Sequence, residues 1–145
     1  MLSEKKFYTF FPEAKLIKDE ALRQKSFEAF ADAAELGGWT EDTIERCPSA
    51  VAEFVDSPAT QIRHLQDSIR LSLMIGTYLK EHYGTYIDFN MDYVLAGALL
   101  HDLGKFTEYA VDDNGKPYIT ENGRYLRHPC LLYTSDAADD LTRVD

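Results

Sequence analysis

Apolar and small residues recur at helical spacing in three stretches of the chain. The first covers residues 14–36, the second residues 63–83, and the third residues 91–103. Positions three and four apart share one face of a helix, so each stretch predicts an amphipathic helix with a buried side. Glycine follows each stretch, as is common after a helix end, and Asn90 is a suitable cap for the third.

The apolar positions of the later two helices predict how they pack. We expect the helix of residues 63–83 to lie centrally, because its apolar surface is broad and includes Ile69, Leu73, Met74, Tyr78 and Leu79. The expected buried face of the third helix consists of Val94, Leu95, Ala98, Leu99 and Leu103. Core packing or a docking arm, rather than a cover over a substrate groove, is the better interpretation of the amino-terminal aromatics Phe7, Tyr8, Phe10 and Phe11.

The remaining segments carry weaker signals. Short helices are predicted over residues 41–46, with Thr40 as the cap, and over residues 49–55, and a proline follows each of them closely. Residues 116–120 could pair with Tyr109 and Ala110 through an Asp-Asn-Gly turn. The predicted fold class is therefore all-α, a helical bundle with one small β-hairpin.

The acidic balance of the chain limits its partners. At 145 residues the chain has the size of one domain, and its net charge of −10 argues against broad attraction to nucleic-acid backbones or anionic membranes. A small phosphorylated substrate or a short oligonucleotide fits better. No apolar stretch approaches the roughly 20 residues that cross a bilayer, and the first residues lack the apolar core of a signal peptide. We therefore expect a cytoplasmic protein with no membrane partner.

The end of the chain changes character after Pro129. Residues 130–145, CLLYTSDAADDLTRVD, resemble the translation of a sequencing adaptor, with a constant part on either side of a variable index. We therefore expect the natural sequence to be cut at Pro129, which would leave the domain incomplete and this fragment a poor enzyme. Cys130 would be foreign as well, so no disulfide partner is expected for Cys47.

An imidazole and a carboxylate, His101 and Asp102, stand directly behind an apolar run. Such groups are costly to bury without partners, and a divalent cation supplies the missing countercharge. Neighbouring residues on a helix diverge by about 100°, so the pair needs further ligands from other segments. His64 and His128 are the candidates, and Asp102 could bridge two ions with its two oxygens.

The segment LAGALLHDLGK, residues 95–105, resembles the HD-domain metal-dependent phosphohydrolases. The layout of residues 63–128 follows that family, and GRYLRH after the polar hairpin is most similar to the bacterial branch that includes a 3′-to-5′ exoribonuclease. The resemblance implies the first part of an HD domain over residues 61–129, preceded by an amino-terminal helical segment over residues 1–60, and the adaptor-like residues 130–145 would form a non-native tail. It also implies a later aspartate ligand, which no residue before Pro129 supplies.

The resemblance further implies roles for single residues. The metal ligands would be His64, His101, Asp102 and His128. Asp102 and Lys105 would be the catalytic residues, with Lys105 facing the phosphate. Mixed histidine and carboxylate ligands suit manganese, iron, nickel, cobalt or zinc.

The implied function is metal-dependent hydrolysis of a phosphate ester in a nucleotide or short oligonucleotide. Two alternatives stay open at this point, namely a regulatory domain that keeps the metal without turnover and a purely structural helical domain. Lys105 has a structural explanation too, because a lysine near a helix end is favourable in itself. Solvent exposure without a functional role is the expectation for His82. Arg124 and Arg127 could contact substrate phosphates, although arginines in a polar loop are more often simply solvated.

Overall fold

Helices form most of the part of the chain that the structure describes, and one two-stranded sheet accompanies them. The structure is a computed structural model that describes residues 2–50 and 60–125. The predicted all-α class with a small hairpin is confirmed. In chain order the elements are α1 (Glu4–Phe10), a 3-10 helix (Pro12–Leu16), α2 (Glu20–Leu36), a 3-10 helix (Ile44–Arg46), α3 (Gln61–Tyr83), α4 (Met91–Leu100), α5 (Lys105–Glu108), β1 (Tyr109–Val111), β2 (Pro117–Ile119) and α6 (Glu121–Tyr125).

Side-chain caps explain where the longer helices begin. The first N–H groups of a helix have no partner within it, and a polar side chain just before the helix can accept a hydrogen bond from them. Each of the helices α1 to α4 has such a cap, in order Ser3, Asp19, Thr60 and Asn90. The cap at Asp19 also divides the predicted helix of residues 14–36, whose first part is the separate 3-10 helix.

Four phenylalanine rings form the centre of the core. Phe7 contacts Phe11 and Phe30 with ring centroids 5.4 Å apart in both pairs, and Phe30 contacts Phe106 at 5.3 Å. All four residues are fully buried. The prediction that the amino-terminal aromatics pack in the core is confirmed for Phe7, Phe10 and Phe11. Because Phe106 belongs to α5, this packing also anchors the segment that follows the His-Asp pair.

Helices α3 and α4 pack against each other, but α4 covers only part of α3. The buried apolar residues of the pair are Ile62, Leu65, Ile69, Leu95, Ala96 and Leu99. Farther along α3, Met74 and Tyr78 are 67% and 53% exposed, so the expectation of a central position is wrong for them. Their position around the helix explains the difference, because the buried Gly76 packs against Met91 of α4, and residues two positions before and after it lie on the opposite face of α3.

The hairpin lies where the sequence predicted it. Strands β1 and β2 pair antiparallel with Tyr109 opposite Ile119, and Gly115 in the turn has a φ of 77°. Glycine adopts that backbone conformation without steric cost. Of the predicted helix of residues 41–46 only the 3-10 helix forms, and its N-cap is Thr43 rather than the predicted Thr40; the two threonines hydrogen-bond to each other in the turn before it.

Several expectations fall outside the described residues. These are the helix over residues 49–55 beyond Ala50, the ligand His128, Arg127, and the tail of residues 130–145. Residues before and after residue 60 contribute to the buried core, and the proposed domain boundary there stays a prediction.

Cys47 is fully buried, which raises the pKa of its thiol far above the ordinary value. Within residues 2–50 and 60–125, no helix is both long and apolar enough to cross a membrane.

Candidate metal centre

The turn between α4 and α5, residues 101–104, carries the His-Asp pair. Leu99 and Leu103 are buried on either side of it, and Asp102 lies inward with them at 7% exposure. His101 lies at the rim, with its side chain 42% exposed. The buried end of α4 thus presents a carboxylate on the inside and an imidazole at the surface.

His64 reaches this pair from the first turns of α3. Its Nε2 lies 2.9 Å from Asp102 Oδ2 and 3.3 Å from His101 Nε2, and His101 Nε2 lies 3.4 Å from the same Oδ2. Nitrogen and oxygen ligands lie about 2.0–2.2 Å from zinc, so two ligands at a tetrahedral angle are roughly 3.4 Å apart. The three side chains converge at a spacing that fits one metal ion.

The second ring nitrogen of His101 supports the same interpretation. His101 Nδ1 lies 3.0 Å from the backbone oxygen of Ala98, one turn earlier in α4. A carbonyl oxygen can only accept, so Nδ1 is the donor of this bond, which leaves Nε2, on the side of Asp102, as the nitrogen available to a metal. Metal-binding histidines in proteins are commonly oriented in this way by a backbone carbonyl. The ring is therefore held in the tautomer that a metal ligand requires.

The electrostatics of His64 favour the neutral ring. Burial lowers the pKa of its imidazole, and the nearby Lys105 ammonium lowers it further, while the Asp102 carboxylate acts in the opposite direction. A neutral imidazole has a free lone pair, whereas a protonated ring cannot bind a cation. The pKa of His64 is thus shifted in the direction that a metal ligand requires.

Lys105 completes the group. Its Nζ lies 2.8 Å from Asp102 Oδ2, and its side chain is only 13% exposed. The predicted one-turn relation to Asp102 is present, since the Lys105 N–H also donates to the Asp102 backbone oxygen at 3.1 Å. The ammonium offsets the buried carboxylate charge and lies beside the three candidate ligand atoms.

His82 and Arg124 are exposed, as expected, and His82 stacks on Tyr78 with ring centroids 4.1 Å apart. His128 lies outside the described residues, so its role as a ligand stays a prediction. Two contacts have no signal in the sequence motif. The Ala98 carbonyl is backbone, and Gln61, whose amide contacts Asp102, is a polar residue at the buried start of α3.

Comparison with known proteins shows a similarity to a phosphodiesterase. Over 105 residues the chain is 31% identical to dihydroneopterin 2′,3′-cyclic phosphate phosphodiesterase from Methanocaldococcus jannaschii. The similarity covers 70% of this chain, and the chain spans only 41% of the length of that relative. The chain matches no protein-family profile and no solved structure.

Proposed function

We propose that this chain belongs to an HD-type, metal-dependent phosphohydrolase that acts on a phosphate ester of a nucleotide or short oligonucleotide. The observation that carries the proposal is the convergence of His64 Nε2, His101 Nε2 and Asp102 Oδ2, all within 4.8 Å of one another. The similarity to a protein named as a cyclic phosphate phosphodiesterase supports it independently.

In this proposal His64, His101 and Asp102 hold the ion, and His128 remains the candidate ligand of a second one. A divalent ion supplies Lewis acidity, which offsets charge on a phosphoryl group and makes water a stronger nucleophile. The chain contributes oriented ligand atoms, since the Ala98 carbonyl fixes the His101 ring and burial lowers the pKa of His64. Manganese, iron, nickel, cobalt and zinc all suit this ligand set.

Lys105 is the residue proposed to contact the phosphate. During hydrolysis the water oxygen bonds to phosphorus, the ester P–O bond breaks, and the leaving oxygen takes up a proton. Negative charge grows on the phosphoryl oxygens in that step, and an ammonium beside them lowers the barrier. Lys105 Nζ already lies within the group at 2.8 Å from Asp102 Oδ2, so a small side-chain movement would bring it to a bound phosphate.

A substrate also needs access to these atoms. His101 borders an open groove of about 370 Å³ between α3 and α4, so its imidazole can be reached from solvent. The name of the relative describes a cyclic phosphodiester. We therefore propose a phosphodiester of a nucleotide or nucleotide-like molecule as the substrate class. Short RNA is the alternative substrate that the exoribonuclease resemblance implies.

The test combines metal content with turnover. The 145-residue chain is incubated with Mn²⁺, Co²⁺ or Zn²⁺, desalted and analysed for bound metal. Hydrolysis of bis-p-nitrophenyl phosphate, a 2′,3′-cyclic nucleotide and a short RNA is measured with this chain and with a version extended to the length of the relative. Bound metal with hydrolysis in the extended version supports the proposal. Bound metal without hydrolysis favours the regulatory domain, and absence of metal binding contradicts the proposal.

The role of Lys105 is tested in the same extended version. Lys105→Ala should retain the metal and slow turnover by about 100-fold, because it removes a charge that acts in the transition state. Lys116→Ala removes an exposed lysine of the hairpin and is the matched control. Equal turnover in both variants would leave Lys105 with a structural role, its ion pair with Asp102.

A further inference from the structure

Gln61 is a buried polar residue that the proposed chemistry does not use. It is the first residue of α3, is 0% exposed, and is followed directly by the buried Ile62. Its backbone N–H donates to the Cys47 oxygen at 2.7 Å, which fixes the start of the helix. Its side chain points to the turn that carries the His-Asp pair, where Nε2 donates to the Asp102 backbone oxygen at 3.0 Å.

The direction of this amide is set by its partner. Only the NH₂ end of a glutamine side chain can donate to a carbonyl, so the reverse orientation would place two oxygens against each other. The amide oxygen, Oε1, is buried and has no hydrogen-bond partner among the described residues. A buried amide with one end unpaired is unfavourable compared with an apolar side chain of similar volume. Stability alone therefore gives a weak reason for glutamine at this position.

The contact links two ligand-bearing segments. His64 lies three residues after Gln61, on the same side of α3, and its Nε2 contacts the Asp102 carboxylate at 2.9 Å. The first turn of α3 thus holds Asp102 twice, through its backbone oxygen and through its side chain. The same backbone oxygen accepts from the Lys105 N–H at 3.1 Å, so the glutamine amide also holds the turn that places Lys105.

We infer that Gln61 is a positioning residue of the metal centre. It sets the distance between the His64 ring and the Asp102 carboxylate by fixing the Asp102 backbone relative to α3. This inference rests on the proposed function, since it assumes that those two side chains bind a metal. Partners that orient metal ligands from outside the first layer commonly change metal affinity by about 10- to 100-fold when they are removed.

The test replaces the donor while keeping the shape. Gln61→Met retains an unbranched side chain of similar length without the amide, and Gln66→Met is the matched control. Gln66 lies on the same helix and makes the same kind of bond, from Nε2 to the Phe10 backbone oxygen at 3.0 Å, away from the metal ligands. The dissociation constant for Co²⁺, the visible spectrum of bound Co²⁺ and the thermal midpoint are measured for wild type and both variants.

The expected result is a Co²⁺ dissociation constant about 10- to 100-fold larger in Gln61→Met, with an altered visible spectrum. Gln66→Met should keep the wild-type affinity and spectrum even if its thermal midpoint falls. Unchanged affinity and spectrum in Gln61→Met, or an equal change in Gln66→Met, would overturn the inference while leaving the proposed function standing. Failure of the wild type to bind Co²⁺ would instead overturn the proposed function and this inference with it.

A measurement on the wild type covers the case in which Gln61→Met does not fold. The side-chain amide resonance of Gln61 is followed by nuclear magnetic resonance during addition of Zn²⁺, with the Gln66 amide as the internal reference. A shift of the Gln61 resonance that saturates with the metal, larger than that of Gln66, is expected. A Gln61 resonance that stays unchanged while the metal binds would overturn the inference.

Discussion

Helix α4 has a buried aspartate near each of its ends, and the two carboxylates have different partners. Asp92 is 9% exposed and Asp102 is 7% exposed. The Asp92 carboxylate accepts from the backbone N–H of Asp19 at 2.9 Å, at the point where α2 begins. The Asp102 carboxylate meets the side chains of His64, His101 and Lys105. Burial is therefore similar at the two ends, and the partners distinguish them.

The partners explain what each aspartate does. A backbone N–H has a fixed position and one proton, so the Asp92 bond joins two helix starts and stabilises their packing. Around Asp102 Oδ2 lie two imidazoles and an ammonium. The imidazoles can bind a cation, and all three groups can exchange protons. A buried carboxylate is thus weak evidence for a functional site, whereas a buried carboxylate shared by convergent titratable side chains is much stronger evidence.

The largest expected effect separates the two ends by metal binding. Asp102→Ala should abolish measurable binding of Co²⁺ or Zn²⁺, because the substitution removes the carboxylate that both histidines contact. Removal of a residue that only orients a ligand commonly changes metal affinity by about 10- to 100-fold, and removal of the ligand itself should have a larger effect. Asp92→Asn is the matched variant at the other end and should bind metal like the wild type. Full metal stoichiometry in Asp102→Ala, measured by elemental analysis, would remove the distinction between the ends.

An intermediate effect is expected from the apolar residues that connect the ends. Leu99 is fully buried between them, and Leu99→Ala should lower the free energy of unfolding by about 2–5 kcal/mol. Tyr93 lies on the same helix at 65% exposure, and Tyr93→Ala should change that free energy by less than about 1 kcal/mol. Urea denaturation followed by circular dichroism measures both. Equal losses in the two variants would mean that α4 is not held by its buried face.

The same contrast shows what could be predicted from the sequence. The helices α3 and α4 and the hairpin were predictable because periodicity, caps and turn residues are local signals. A short motif marks His101, Asp102 and Lys105 in the sequence, and in the structure the side chains of His101 and Lys105 lie beside the Asp102 carboxylate. His64 could be suggested as a partner, but its 2.9 Å approach to Asp102 depends on how α3 and α4 pack. Local patterns do not contain that information.

Other features could not be predicted for related physical reasons. Met74 and Tyr78 have the spacing of buried residues, yet periodicity does not reveal which face of a helix its neighbour will cover, and α4 packs on the opposite face at Gly76. Helix α1 has only 7 residues, too few for a clear period. Gln61 gave no motif signal, because its importance comes from a contact with a residue 41 positions later in the chain.

The smallest expected effect concerns the pH dependence at the other end of α4. The backbone N–H of Asp19, followed by that of Lys18, lowers the pKa of the Asp92 carboxyl group. A carboxyl group whose pKa is lower in the folded state stabilises the fold above its unfolded pKa of about 3.9, and that stabilisation is lost as the pH falls through the folded value. The wild type should therefore exceed Asp92→Asn in stability at pH 7, and the difference should shrink by pH 3. Urea denaturation at pH 7, 5, 4 and 3 measures the difference, with the exposed Asp88→Asn as the control. A difference that stays constant over this range would show that the Asp92 charge contributes nothing, and the contrast between the ends of α4 would then rest on Asp102 alone.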